Sequence, residues 1–473
     1  MQYFASMARP VNEIIQNLAS GFPGYLEFRY HNRRMRSLGV RKGELNENSF
    51  KQIEGAGIRV LSGGAWGFAS TSDLSEAGLE AAVKKASAMA RSMASRKKNP
   101  VNLAGTDQLA RGEFNLDGYY DLQSMSLEQK FQTVRESEEN LRKSNSAIET
   151  AVCQYTEVFE EKYIFNTDGS DCWIRLVRPE LRFVAYAGDG SRISRGYDSV
   201  GTTGGWNCLF QNRPLEQYID TAARNASDLL NAGAAEGGRK KVILSPAMVG
   251  LLSHEAIGHT VEADFVQAGS VAQGKLGEMV ASPLVTLCDS GASEYSPHAG
   301  GELPVDDEGV YTQRTEVIKD GRLVNYLHNR ESAQRFETSP TGNARAWEFD
   351  DEPLIRMRNT YIAPGNDNLE DMIRGIDDGY FIDGPEGGQA DATGEFMFGA
   401  SRVNRIKNGR IADTVQKVSV SGNAFDVLKS IDAISSDFRW DLGSGHCGKG
   451  QPAKVDAGGP YLRCELLVGG GQS

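Results

Sequence analysis

Apolar and polar residues alternate along YLEFRYHNRRMRSLGVRKGEL, residues 25–45, as they do in strands that cover one face of a sheet, with Gly43 as the turn signal. A helical repeat over residues 10–19 precedes this stretch. GAGIRVLSGGAWGFAST, residues 55–71, continues it as short strands interrupted by glycines. From Ser75 to about Ser95 the period becomes that of a helix: Leu79, Val83, Ala86 and Ala90 form its small-residue face, and RKK before Pro100 closes it. Residues 127–150 read as a strongly polar helix with a thin packing stripe through Phe131, Val134, Leu141 and Ile148. Two or three alternating strands follow between residues 161 and 190, turning at Asp168-Gly169. Gln217 to Leu230 is helical again and runs into the flexible NAGAAEGGRK.

The second half has a different pattern. VILSPAMVG gives a short strand, then Ser245 as N-cap and Pro246 as first-turn proline of a helix carrying His254. Past Phe265 come short β segments separated by glycine-rich turns, ending in PYLRCELLVGGG. The fold class expected is α+β in two domains. Residues 1–235 form an α/β meander with long helices, and residues 236–473 form a β-dominated, barrel-like domain with one embedded helix. No tandem repeat and no phosphate-binding glycine loop occur in the required strand-to-helix setting.

Composition narrows the function classes. The chain has 473 residues, 51 basic and 63 acidic, for a formal charge of -12, and it lacks a dense basic block. Binding to nucleic acid or to an anionic membrane surface is therefore disfavoured. Cys153, Cys172, Cys208, Cys288, Cys447 and Cys464 are too scattered for a small disulfide framework, which points to a reducing compartment. With neither a secretory signal pattern nor an apolar run of about 18 residues, a cytoplasmic protein is expected.

The stretch with candidate chemistry is LLSHEAIGHTVEADF, residues 251–265, where His254 and His259 stand five apart and Glu255 follows the first. On a regular helix, positions five apart are offset by about 140°, against about 40° for the helical zinc signature with a spacing of four. A common ion then requires an irregular helix. Gly258 weakens the helix just before the second histidine, and a one-residue π-bulge would rotate His259 back toward His254. Glu255 is placed to take a proton from water, and the alternative is a hydrogen-bonded polar seam with Glu262 and Asp264 behind it. A catalytic zinc site needs a third protein ligand, for which His298, His328, the His446-Cys447 pair, Glu262 and Asp264 are candidates. Cys447, in the glycine-rich GSGHCGKGQP beside Lys449, is either a reactive thiolate or a solvent-side thiol in a mobile loop. Cys288 reads as buried packing and His31 as a surface residue.

The ordered series HEAIGHTVEAD, LGEMVASPLVTLCDSG, DDEGVYTQRTEVIKDGRLVNYLHNRESA, TGNARAW, NTYIAPG, DGPEGGQADATGEFMFGASRVNRIKNGRI and HCGKGQ resembles the TldD/PmbA family, in particular its TldD-type metalloprotease members. The resemblance runs over almost the whole chain and is strongest from about residue 242 to 468. It implies one zinc per chain held by His254, His259 and Cys447, with Glu255 as general base and His446 beside the metal ligands or the substrate. It also implies a peptide substrate, in extended or unfolded form, enclosed by a homodimer or by a heterodimer with a paralogous subunit that lacks the HExxxH motif. DDEG and GPEGGQADATG are candidate rims of the cavity, and Arg345 in TGNAR is either a structural ion pair or a clamp for a peptide carboxylate. Two other functions compete: a metal-dependent tailoring hydrolase acting on a small peptide or conjugate, and a non-catalytic scaffold subunit with a saturated, structural metal site.

Overall fold

The computed structural model describes residues 5–469, with side chains from residue 11 onward; the start of MQYFAS and the last glycines of GGG lie outside the described residues. Two sheets and a closed barrel make up most of it. The first sheet has seven strands, Tyr25–Arg41, Glu44–Ser62, Ala65–Thr71, Arg111–Asn115, Ile148–Asn166, Asp171–Gly188 and Ile193–Gly201. Its longest neighbours pair antiparallel along most of their length, Glu27 with Asn166 through Arg41 with Val152. The glycines of GAGIRVLSGG do not break Glu44–Ser62 into short strands, because its partner Tyr25–Arg41 holds it along most of its length. Helices Glu76–Ala94, Leu127–Lys143 and Leu215–Leu230 pack their apolar stripes on this sheet.

Local signals place most of these elements. Ser75 caps Glu76–Ala94 by accepting from the Gly78 amide at 3.1 Å, and Leu79, Val83, Ala86 and Ala90 are buried. The polar helix begins with a capping box at Ser126 and Gln129 and buries Val134 and Leu141. It stops at Lys143, however, and Ile148 is the first residue of a strand, paired with Ala187. Tertiary pairing overrides the helical spacing there. His31 is a second correction: it is 1% exposed, not on the surface, because its face of the strand is covered, with Arg29 and Arg33 beside it buried as well. Its Nε2 lies 3.2 Å from Glu160.

The barrel is five-stranded. Gly238–Leu244 pairs with Asp378–Ala390 in parallel, and Glu395–Lys407, Val418–Asn423 and Leu462–Gly469 close the ring antiparallel. A six-stranded sheet lies beside it, with Leu287–Ser290 and Asn359–Ile362 at its centre. Helices Arg330–Arg335, Leu369–Arg374 and Ala424–Lys429 accompany the one expected helix, each only about two turns long. No helix among the described residues is long and apolar enough to cross a membrane.

The DDEG stretch joins the first sheet to the rest and is no rim. Asp306, Asp307 and Glu308 are all buried. Lys162 reaches Asp307 at 2.8 Å, and Arg59 bonds Glu308 at 2.9 Å while bracketing Glu27. Carboxylates buried this deeply are tolerated only with such partners.

Candidate metal centre

The helix with the histidines leaves the first barrel strand at Ser245, whose hydroxyl accepts from the Met248 amide at 3.3 Å, with Pro246 in the first turn. It runs as a regular α-helix only to Leu251. Leu252–Gly258 is a π turn, and the His259 amide donates to the carbonyl of His254, five residues back. That single bond resolves the spacing problem, since residues five apart are then on one side of the helix. The imidazole centroids lie 5.3 Å apart, nearly perpendicular. Gly258 is required by close approach: a Cβ there would meet the Met357 sulfur at 1.8 Å.

Cys447 arrives from a distant part of the chain. It is not in a mobile loop or at the solvent side; it is buried in the strand His446–Lys449, which pairs with Gln451–Lys454 as a tight hairpin. Arg356 clamps that hairpin, donating to the carbonyls of Cys447 at 2.8 Å and Gln451 at 2.7 Å. The Gln451 side chain in turn accepts from the Trp347 amide at 2.7 Å. Arg29, from the first sheet, donates to the carbonyls of Glu348 and Phe349 in the same loop.

The Cys447 Sγ lies 3.1 Å from His259 Nε2, and the ligand atoms of His254, His259 and Cys447 are within 4.8 Å of one another. Burial pushes the Cys447 thiol up, but His254 and then His259 draw it down to about 4. The side chain is therefore a thiolate, the form that ligates metals. Burial also works against a charge on His259, yet its contacts with Cys447 and Glu262 raise it to about 10. Both ring nitrogens of His254 are buried without a hydrogen-bond partner. An orphaned imidazole beside a thiolate suits a metal better than a hydrogen-bonded seam does.

Supporting side chains orient the cluster. His259 Nδ1 is 3.1 Å from the fully buried Glu262, and Lys449 donates to Glu262 at 2.9 Å and to Asp264 at 2.8 Å. A carboxylate on the second ring nitrogen fixes the tautomer and the ring orientation. The Glu255 carboxylate lies 3.8 Å from His259 Nε2, with its side chain 27% exposed.

The remaining histidines lie elsewhere. His328 is buried against Ser332 and Phe336, and the His298 carbonyl accepts from Thr202. His446 turns away from the cluster toward the Trp347 ring, 5.7 Å between centroids, and Glu180. Arg345 makes no ion pair among the described residues, contrary to that reading, and donates instead to the Met357 carbonyl at 2.6 Å. Sequence reasoning missed Arg356 and Met357, which carry no motif, and gave no role to Gln451 within HCGKGQ; they act only through contacts with the hairpin and helix.

The chain is similar to known proteins over nearly its whole length. The PmbA/TldA metallopeptidase C-terminal domain matches residues 237–470, domain 1 matches 26–90 and the central domain matches 120–230. A metalloprotease of Methanothermobacter thermautotrophicus is 34% identical over 455 residues, covering 94% of this chain and 95% of the relative. A zinc metalloprotease TldD homolog of Saccharolobus solfataricus is 30% identical over 318 residues, covering 67% and 70%. Among solved structures, TldE from Thermococcus kodakarensis superposes with a TM-score of 0.78 at 19% identity, covering 96% of this chain and 99% of that one, a likeness of fold. The family domains and the nearly full-length identity place the chain in the TldD/PmbA metalloprotease family.

Proposed function

We propose that this chain is a zinc-dependent peptide hydrolase in which His254, His259 and Cys447 hold the metal and Glu255 is the general base. The observation that carries this reading is the meeting of two histidines and a cysteine 188 residues from the second of them, with the partly exposed Glu255 carboxylate 3.8 Å from His259. The mixed nitrogen and sulfur donor set favours zinc. Bound there, zinc would supply Lewis-acid polarisation of the groups that react.

The chain's own residues do the rest. Glu255 takes a proton from the attacking water and returns it to the leaving amine. Glu262 holds His259 through Nδ1, which keeps Nε2 free to ligate. A structural, saturated site would need a fourth protein ligand. Glu262 is engaged by His259 and Lys449, and His446 faces Trp347, so neither supplies one. Three protein ligands and one open position are the arrangement of catalytic zinc.

Six free cysteines suit a reducing, cytoplasmic setting. The shared fold of TldE supports assembly either with a second copy or with a paralogue lacking HExxxH. We place the boundary between the two folding units near residue 235, between helix Leu215–Leu230 and the first barrel strand, Gly238–Leu244.

Metal content by plasma mass spectrometry, combined with cleavage of an unfolded peptide library with and without such a paralogue, tests the reading. Wild type should hold about one zinc per chain and Cys447→Ala should lose it. Glu255→Gln should keep zinc and lose about 10²- to 10⁴-fold in rate. Full zinc in Cys447→Ala sinks the ligand set, and zinc without cleavage in every pairing sinks the peptidase.

A further inference from the structure

The side chains around the metal centre divide by exposure. His254, Cys447, Glu262 and Met357 are buried. Glu255 and Asp264 keep 27% and 41% of their side chains exposed, His259 keeps 20%, and Phe265 is 37% exposed. Solvent therefore meets this centre at those four residues, and Phe265 is the apolar one among them.

Phe265 stands on the short helix Ala263–Gln267, three residues after the Glu262 that holds His259. Its ring lies nearly perpendicular to the His259 imidazole, 6.2 Å between centroids, and the Lys449 ammonium sits 4.2 Å from its centroid. Lys449 is itself fixed by Glu262, Asp264 and the Ile355 carbonyl. A cation on one face and an imidazole beside it hold the ring in place.

Exposure alone says little, because single apolar residues are common on protein surfaces. Phe265 differs in its surroundings: it belongs to none of the hydrophobic clusters among the described residues, and its ring contacts are with a metal-site imidazole and an ammonium. Apolar surface left in water beside a reactive centre is surface that a bound side chain would bury. Charge narrows what fits. Lys449 already takes Glu262 at 2.9 Å and Asp264 at 2.8 Å. The same ammonium already draws on the π electrons of the ring, which disfavours a second cation over its other face.

We propose that Phe265 is a specificity-determining residue whose uncovered ring surface receives a substrate side chain next to the bond to be cut, so that the chain selects large apolar, above all aromatic, residues there. This rests on the peptidase reading and names its substrate class. One residue of extended chain spans about 3.5 Å, so the residue flanking the bond, rather than one farther along, brings its side chain to this ring. Two rings then pack offset or edge to face.

Calorimetric binding of hydroxamates, which ligate zinc and are not cleaved, to zinc-loaded wild type, Phe265→Ala and Phe265→Leu tests it. N-acetyl hydroxamates of phenylalanine, alanine and lysine report the residue before the bond, and 2-benzyl- and 2-methylsuccinyl hydroxamates report the one after. Wild type should bind the benzyl member of one series about 5- to 30-fold tighter than its methyl match, and that series identifies the side. Phe265→Ala should erase the difference and Phe265→Leu keep part of it, with zinc content equal in all three. Equal affinities within both series in wild type overturn the proposal. So does a difference that survives in Phe265→Ala, or tighter binding of the lysine hydroxamate than of the phenylalanine one. Zinc loss in Phe265→Leu would make the ring a prop for Lys449 and overturns it too. If no hydroxamate binds wild type, the open zinc position fails and the proposal with it. The expected preference without cleavage of any peptide would count against the peptidase reading alone.

Discussion

The first sheet and the histidine helix show opposite relations between sequence and structure. In the sheet, strands of 17 to 19 residues run beside one another with few register shifts, and side chains alternate as the sequence does. In the helix, seven residues leave the α-helical register for a π turn, and the site depends on that departure. Regularity makes a rigid wall, and irregularity aims ligands. The sheet nevertheless serves the site, since Arg29 anchors the loop that contacts the Cys447 hairpin.

Acid titration should give the largest effect and compare the two regions directly. Burial is the main cause holding His31, in the sheet, and the sole cause holding His328, beside the barrel, down to about 4. Their unfolded forms titrate near the ordinary value of about 6.5, so below it the unfolded chain binds protons that the folded chain refuses. The stability from neutral burial is complete above pH 6.5 and is lost as the pH falls toward 4, on the order of 3 kcal/mol for each ring. Denaturant titrations at pH 7 and pH 5 should show that loss, and His31→Gln and His328→Gln should each flatten it. Equal slopes in wild type and both variants would contradict the assignment.

A matched pair of glycine substitutions comes next. At Gly67 an added Cβ meets the Ala86 carbonyl at 2.0 Å, and at Gly258 it meets Met357. Each Gly→Ala change should cost about 1–3 kcal/mol by overpacking. Thermal melts should register both losses, whereas zinc affinity should fall only in Gly258→Ala. A Gly67→Ala variant that loses zinc while folded would erase the distinction between wall and aim.

Glu262→Gln is the finest probe of the aim. It keeps the shape while weakening the hold on His259, so zinc affinity should drop about 10- to 100-fold by competition with a chelator. An unchanged affinity would mean that the π turn alone orients the ring.

Much of the fold was legible because its signals are short in range. Ser75, Ser126 and Ser245 cap helices where their sequence positions indicate, and Asp168-Gly169 turns the strands. The misreadings share one cause. Ile148 follows a helical spacing but is captured by a partner strand, and His31 stands among polar residues that are themselves buried. DDEG looks solvated until Lys162 and Arg59 surround it, and Arg345 looks ion-paired but bonds a backbone carbonyl. Burial and partnership are properties of the assembled chain.

The sequence by itself showed the family resemblance and pointed to a metal site, because HExxxH and the ordered series around it resemble a metalloprotease family and imply the donors and the base. It also showed that an ideal helix could not bring His254 and His259 together. Only the tertiary structure decided that the helix yields at a π turn, that Cys447 is the third partner brought to His259, and that Arg345 bonds the Met357 carbonyl. Caps, turns and periodicity act over a few residues and are written in them. Ligand geometry and buried charge depend on contacts between residues nearly two hundred positions apart, which no local pattern encodes.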